Sequence, residues 1–212
     1  MTPHFVINIG REFGCGAKRI GEALAKRLGV PIYDKELINL AARESGYCPE
    51  LFERADEKER KGVLSSLIGY FRVPISGSYY TSDPLSNETL FQIQSDVIRR
   101  LANEGSCIFI GRCADYILRE HPCAINLFFT ADREDRLARI IARNGCTEEE
   151  AEAAIERIDA ERARYYNYYT GGNWGRAAQY DLTLNTTRLG DEATLELVLE
   201  YLAKRLKNDP TK

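Results

Sequence analysis

Apolar residues along the chain alternate between short continuous runs and stretches with a helical period. The first run, residues 4–9, contains β-branched residues and predicts a buried strand, which a glycine-rich stretch over 10–16 follows. From Ala17 onward, apolar residues recur every three or four positions, which predicts a helix. Gly29 and then Pro31 end this helix in the order typical of helix C-termini.

The same alternation continues to the end of the chain. Further apolar runs predict four strands, at 30–33, 107–110, 124–130 and 181–185. Helical periods predict helices over 35–44 with Asp34 as its cap, 90–101, 112–119 and 191–207, and a further helix that opens at 132–135 and has Leu137, Ile140 and Ile141 on its core face. Strands that alternate with helices predict an α/β fold, in which a parallel β-sheet is covered by helices on both faces.

Two segments interrupt this regular order within a predicted single domain, 1–212. Residues 46–86 are highly charged and then rich in proline, serine and tyrosine, which predicts a helical insert that ends in a mobile loop. Thr147-Glu-Glu-Glu150 has the pattern of a capping box and predicts the start of a long helix that runs towards Tyr169. Gly171 and Gly172 would end that helix.

Composition and charge exclude several classes of protein. The chain has 212 residues with a formal net charge of −3, and a duplex-binding domain usually has a concentrated basic surplus, so nucleic acid is disfavoured as a partner. The six cysteines form no Cys-x-x-Cys pair and only two histidines accompany them, so no zinc or other resident metal site is predicted. The chain has no signal-peptide pattern and no apolar run of about 18 residues, so we expect a cytoplasmic protein without a membrane partner.

The turn that joins the first strand to the first helix has the features of an anion site. At such a turn the exposed N–H groups and the positive helix end favour phosphate, and Arg11, Lys18 and Arg19 add positive charge. The spacing matches neither G-x-G-x-x-G nor G-x-x-x-x-G-K-[ST], because Ala17 stands at the position of the phosphate-binding lysine and no hydroxyl follows. A dinucleotide site and a plain tight turn therefore stay open beside a polyphosphate site.

Arginines on the long helix and at a strand end indicate phosphate binding. Arg157, Glu161 and Arg164 share one helical face, and Arg112 directly follows a buried strand, at the edge where open α/β sheets bind ligands. Guanidinium holds phosphate by two parallel bonds, so these residues predict a phosphate clamp. A simple surface ion pair between Arg157 and Glu161 is the alternative. The tyrosines of 165–169 predict packing, with base stacking as the lesser alternative.

These motifs resemble the cytidylate kinase-like group of nucleoside monophosphate kinases over most of the chain. Asp34 resembles the acidic residue that follows the second strand in that group. The other matching motifs are Arg11-Glu-Phe-Gly14-Cys-Gly16 (a variant phosphate loop), Ile108-Phe-Ile-Gly111-Arg112-Cys-Ala-Asp115 (a strand and turn), Glu161 to Trp174 (the lid helix and its extension) and Asn185-Thr-Thr-Arg-Leu189 (the end of the last strand). The resemblance implies a P-loop nucleotide-kinase fold, with 46–86 on the acceptor side and 147–174 as a lid.

The resemblance also implies an activity and a set of site residues. The activity is transfer of the γ-phosphoryl group of ATP to a nucleoside monophosphate such as CMP or dCMP, with Mg²⁺ carried mainly by ATP and water. The implied ATP-binding residues are Arg11, Gly14, Cys15, Gly16, Ala17, Lys18 and Arg19. The implied acceptor-binding residues are Asp34, Arg112, Asp115, Arg157, Glu161 and Arg164, of which Asp34 and Asp115 are also outer partners for Mg²⁺. The implied catalytic residues are Lys18, Arg112, Arg157 and Arg164.

The chain departs from the group's pattern at two places. The lysine and the hydroxyl of the phosphate loop are absent, and Cys113 replaces the aspartate that directly follows Gly-Arg, which leaves Asp115 as the nearest carboxylate. Two alternatives follow: a nucleotide-binding regulatory module with little or no activity, and a kinase for a small acceptor that is not a nucleotide. The resemblance suggests a monomer that needs no protein partner.

Overall fold

The computed structural model describes residues 4–44 and 84–207, and within them five strands form one parallel sheet. The strands are β1 (Val6–Arg11), β2 (Ile32–Tyr33), β3 (Cys107–Ile110), β4 (Ala124–Thr130) and β5 (Leu182–Asn185). Their order is β2-β3-β1-β4-β5, so β1 lies at the centre between β3 and β4. Because every pairing is parallel, the carboxyl ends of the strands meet at one edge of the sheet. The predicted α/β fold is confirmed.

Seven α-helices and one 3₁₀ turn, Ala177–Gln179, accompany the sheet in the described residues. The helices are α1 (Ala17–Leu28), α2 (Lys35–Glu44), α3 (Pro84–Glu104), α4 (Ala114–Ile117), α5 (Arg133–Asn144), α6 (Glu148–Thr170) and α7 (Thr186–Lys207). The predicted capping box of α6 is confirmed, since the Thr147 hydroxyl accepts a hydrogen bond from the Glu150 N–H at 3.2 Å and the Glu150 carboxylate accepts one from the Thr147 N–H at 3.0 Å. Helix α6 ends as predicted, with Gly171 in the left-handed conformation.

The main core lies between one face of the sheet, α1 and α7. Ile7 and Ile9 of β1 and Leu24 of α1 are fully buried there with Val198 of α7. A second, smaller cluster joins α5 and α6, and its buried residues are Ile140, Ala151 and Ile155, with Phe13 packed against them. This second cluster brings α6 to the turn after β1.

Several elements differ from their predicted bounds, and α3 runs over Pro84–Glu104 instead of 90–101, so it begins inside the predicted insert. β1 extends two residues further, to Arg11, because Gly10 and Arg11 pair with Phe128 and Phe129 of the longer strand β4. Helix α4 is only four residues long, since the residues before it adopt a left-handed turn. The last helix begins before residue 191, at Thr186, and is broken by a kink at Gly190.

The chain divides into two compact units, one formed by residues of 1–34 and 101–212 and the other by residues of 35–100. In the second unit, Nε2 of Gln94 on α3 donates a hydrogen bond to Oδ1 of Asn39 on α2 at 2.7 Å. The predicted insert over 46–86 lies almost entirely outside the described residues. None of the described helices combines the length and apolar character required to span a membrane.

Candidate active site

The turn between β1 and α1 has the glycine conformations of a close-fitting loop. Gly14 and Gly16 have φ angles of 82° and 86°, in the left-handed region. A Cβ at Gly14 would lie 2.9 Å from Cδ1 of Ile140, so the loop packs tightly against α5. Within the described residues, the main-chain N–H groups of Gly14 and Gly16 donate no hydrogen bond, and α1 begins at Ala17. Free amides at a helix start fit a bound phosphate.

The two cations that follow the loop have acidic partners. Nζ of Lys18 lies 3.1 Å from Oδ2 of Asp34, at the carboxyl end of β2, although most of the lysine side chain is exposed. Arg19 is paired with Asp191 on α7. Ala17, at the position where other phosphate loops have lysine, is buried. The loop therefore has no lysine aimed along it in this conformation.

Cys15 contributes its main chain to the loop. Its carbonyl accepts hydrogen bonds from Nη1 of Arg139 at 2.9 Å and from the Thr186 hydroxyl at 2.7 Å. Its side chain is buried, and burial raises the pKa of the thiol. Cys15 is thus a neutral, structural residue whose carbonyl is held by α5 and α7.

Three guanidinium groups converge beside the loop at the carboxyl edge of the sheet. Burial, together with repulsion by Arg162 and Arg112, lowers the pKa of Arg11 to about 9. The Arg11 guanidinium lies directly on Gly111, where a Cβ would overlap it. Burial also lowers the pKa of Arg162. Cations that repel one another in this way form a site that favours an anion.

Arg112 stands in a strained turn between β3 and α4. Gly111, Arg112 and Cys113 have φ angles of 72°, 56° and 55°, three successive left-handed residues of which two are not glycine. The left-handed conformation costs a residue with a side chain about 1–2 kcal/mol, and such strain is typical of functional sites. Cζ of Arg112 lies 5.2 Å from the centre of the Tyr165 ring on α6. Burial raises the pKa of the Cys113 thiol to about 12, so Cys113 stays neutral where the resembled group has a carboxylate.

Asp115 has a partner within the protein. Its carboxylate accepts a hydrogen bond from the Tyr166 hydroxyl at 2.8 Å. Burial raises the pKa of Asp115, while the bond from Tyr166 opposes that shift. With Asp34 paired to Lys18, both carboxylates that the sequence indicated as outer partners for Mg²⁺ are engaged by protein groups.

The face of α6 that the sequence indicated as a clamp is exposed. Nη1 of Arg157 lies 3.3 Å from Oε1 of Glu161, and the two side chains are 50% and 34% exposed. Arg164 is exposed as well. The surface ion pair between Arg157 and Glu161, which the sequence left open, is present.

The opposite face of α6 carries charged residues that sequence reasoning missed. Asp159 accepts a hydrogen bond from the Phe13 N–H at 2.8 Å, and Nη1 of Arg162 donates one to the Arg11 carbonyl at 3.0 Å. Together with Ile155 and Tyr166 they fall at i, i+4, i+7 and i+11, the same spacing as the exposed set. The available signal was that this row begins with apolar Ile155, whereas the exposed row begins with Arg157, and the structure buries Ile155 and Tyr166.

The donor set determines which ligand these residues fit. Among residues 4–44 and 84–207, no group of three His, Cys, Asp or Glu side chains is arranged to hold a metal ion. The glycine loop and the arginines instead fit phosphate groups, so any Mg²⁺ would enter with the phosphates.

Comparison with known proteins identifies the group to which these features correspond. A family model described as cytidylate kinase-like family matches residues 6–188, which is most of the chain. The search of curated proteins found no match.

The solved structures that resemble the chain are similar over nearly their whole length. A crystal structure of an uncharacterized protein from Eubacterium ventriosum is 24% identical, with a TM-score of 0.72 over 95% of this chain and 99% of that one. A gluconokinase from Sinorhizobium meliloti is 13% identical, with a TM-score of 0.54 over 96% and 94%. A shikimate kinase from Bacteroides thetaiotaomicron is 15% identical, with a TM-score of 0.50 over 95% and 99%. The fold is that of P-loop kinases.

Proposed function

Because the chain belongs to the cytidylate kinase-like family, we propose that it is an ATP-dependent phosphotransferase that transfers the γ-phosphoryl group to a nucleoside monophosphate, with CMP and dCMP as the first candidates. The observation that carries this proposal is the convergence of Arg11, Arg112 and Arg162 beside a glycine loop at a helix start. The two features provide two adjacent anion sites, as a donor and an acceptor phosphate require. A cytoplasmic location and the absence of an obligate protein partner belong to the same proposal.

Each feature has a separate task in phosphoryl transfer. The amides of Gly14 and Gly16 bind the ATP phosphates at the start of α1. Arg112 binds the phosphate of the acceptor, and Arg11 and Arg162 neutralise the charge shared by the two phosphates. Phosphoryl transfer needs alignment and charge stabilisation more than covalent chemistry from the protein, so a set of fixed arginines suits the reaction.

Lys18 and the exposed arginines of α6 take part only if they move. In this proposal Lys18 leaves Asp34 to approach the β- and γ-phosphates, while Arg157 and Arg164 approach as the segment 147–174 closes as a lid. Glu161 would then contact the acceptor, after its separation from Arg157. When bound with ATP, Mg²⁺ supplies further neutralisation of the phosphates, and Asp34 or Asp115 would hold its water molecules.

Two alternatives are supported by particular observations. Buried Ala17 and paired Lys18 leave the loop without a lysine, which favours a regulatory module that binds nucleotide without turnover. The shared fold with proteins named gluconokinase and shikimate kinase favours a small acceptor that is not a nucleotide.

The test is ADP formation from Mg·ATP with CMP, dCMP, UMP, AMP or GMP, against a control without acceptor. We expect a CMP- or dCMP-dependent rate that falls about 100-fold or more in Arg112→Ala, the usual scale for loss of one charge-stabilising donor. Arg119→Ala is the matched control, since Arg119 also lies over a tyrosine ring, that of Tyr116, but is exposed beyond the C-terminal end of α4. ATP binding without turnover of any nucleotide would instead favour the two alternatives.

A further inference from the structure

A buried arginine on α5, outside the arginine cluster, contacts an oxygen atom with each of its three guanidinium nitrogens. The Arg136 side chain is only 8% exposed, and Nη1 lies 3.2 Å from Oε2 of Glu12 while Nη2 is paired with Asp159. Its Nε donates a hydrogen bond to the Phe13 carbonyl at 2.7 Å. Removing a guanidinium from water is costly unless it is paired and hydrogen-bonded, and this arrangement meets both conditions.

The main-chain groups of Phe13 are held by side chains rather than by other main-chain groups. Its N–H donates to Oδ1 of Asp159 at 2.8 Å, and its carbonyl accepts from Nε of Arg136 at 2.7 Å. Phe13 immediately precedes Gly14, whose amide belongs to the proposed phosphate site. The path of the loop at this point therefore depends on one side chain from α5 and one from α6.

Asp159 also contacts the arginine cluster. Its Oδ1 lies 3.7 Å from Nη1 of Arg162, and that same nitrogen donates to the Arg11 carbonyl at 3.0 Å. A single carboxylate thus contacts the loop, the buried Arg136 and a member of the cluster. These contacts connect the loop, which is the proposed site of the donor phosphates, with the arginine cluster, which is the proposed site of the acceptor phosphate.

We propose that Asp159 and Arg136 are positioning residues that set the shape of the phosphate loop before ATP binds. Asp159 also fixes the position of Arg162 relative to the loop. The proposal rests on the phosphotransferase function for its kinetic consequences only. A loop that is ordered in advance loses less conformational entropy on binding, so it binds ATP more tightly. This arrangement supplies rigidity to a loop that lacks the usual lysine.

Arg133 provides a matched control on the same helix. It also links α5 to α6, with Nε 3.2 Å from Oε1 of Glu152 and Nη2 3.1 Å from Oε1 of Glu156. Unlike Arg136 it is half-exposed, and it makes no contact with the loop in the described residues. Arg133→Gln therefore removes an α5–α6 link and leaves the loop bonds in place.

The experiment compares Asp159→Asn, Arg136→Gln and Arg133→Gln by thermal unfolding, by the Kd of a non-hydrolysable ATP analogue and by hydrogen exchange over residues 10–17. We expect the analogue to bind at least about 10-fold more weakly and the loop to exchange faster in the first two variants, with neither change in Arg133→Gln. In turnover, Asp159→Asn should raise KM for ATP more than KM for the acceptor. Equal losses of Tm in all three variants, with unchanged loop exchange and analogue affinity, would overturn the proposal.

Two further readouts keep the result decisive. If Arg136→Gln does not fold, Asp159→Asn decides, because the amide keeps the volume and one acceptor oxygen. If neither variant folds, NMR of the wild-type protein without nucleotide decides: the Phe13 amide should exchange more slowly than that of Gly14, and equal exchange would overturn the proposal. Failure of every acceptor to be phosphorylated counts against the proposed function, whereas loop exchange and analogue binding judge the positioning role independently.

Discussion

The two faces of α6 carry similar charges in different surroundings. On one face, Asp159 and Arg162 are 17% and 25% exposed and bond to main-chain groups of the loop and of β1. On the other, Arg157 and Glu161 are 50% and 34% exposed and bond to each other. An exposed i,i+4 pair contributes about 0.3–0.5 kcal/mol, whereas a partly buried charge requires specific partners to be tolerated at all. The difference teaches that the partners of a charge, more than its presence on a helix, indicate where the site lies.

The strongest test of this comparison is to remove one arginine from each face. We expect Arg162→Ala to lower kcat/KM for the preferred nucleoside monophosphate about 100-fold, because it removes a fixed cation from the cluster. Arg164→Ala, two positions away and exposed until the segment 147–174 closes, should lower it by less than Arg162→Ala does, because Arg164 contributes only in the closed state. Steady-state kinetics at saturating ATP measures both, and equal losses would mean that the two faces contribute alike to the reaction.

A smaller effect is expected when Arg11, the residue of β1 that Arg162 contacts, is displaced. Gly111→Ala places a Cβ in the Arg11 guanidinium and adds left-handed strain of about 1–2 kcal/mol. We expect a raised KM for the acceptor, in addition to a loss of stability in urea unfolding. Gly145→Ala is the control, since Gly145 has a φ of 65° but open space around its Cβ, so it should lose stability without a change in KM.

The burial of Asp115 predicts a dependence of stability on pH. Burial raises the pKa of Asp115, so the folded state holds this proton at pH values where the unfolded state has released it, and stability falls as pH rises through that range. Asp115→Asn keeps an acceptor for the Tyr166 hydroxyl and removes the ionisation. A rise from pH 4 to pH 7 should lower the free energy of unfolding less in the variant than in the wild type. Identical pH profiles would mean that Asp115 is effectively solvated.

The smallest effect is expected at the outer ion pair. Glu161→Gln should lower the free energy of unfolding by no more than about 0.5 kcal/mol, because water weakens an exposed ion pair, and by less at high salt, because dissolved ions screen it further. Denaturant titration at two ionic strengths measures this. A loss above about 1 kcal/mol that salt does not reduce would show that the two faces are energetically alike.

Much of the scaffold follows from local patterns in the sequence. The capping box at Thr147 and the glycine at 171 locate α6 to within a residue, because both signals act on neighbouring main-chain groups. The site was harder to predict, since the rows that begin at Ile155 and Arg157 have identical spacing and both carry charged residues, so that only the first residue of each row separates them. The left-handed conformation of Arg112 and Cys113 also has no local signal, because neither residue is a glycine.

The bonds to the Cys15 carbonyl affect the order in which the protein acquires its loop. The loop is translated early, but its carbonyl is held by Arg139 and Thr186, which lie 124 and 171 residues further along the chain. Contacts of such sequence separation form late and slow folding. A chain still on the ribosome therefore contains the loop sequence long before the loop has its shape. Under the proposed function, binding of ATP is a property of the finished domain alone.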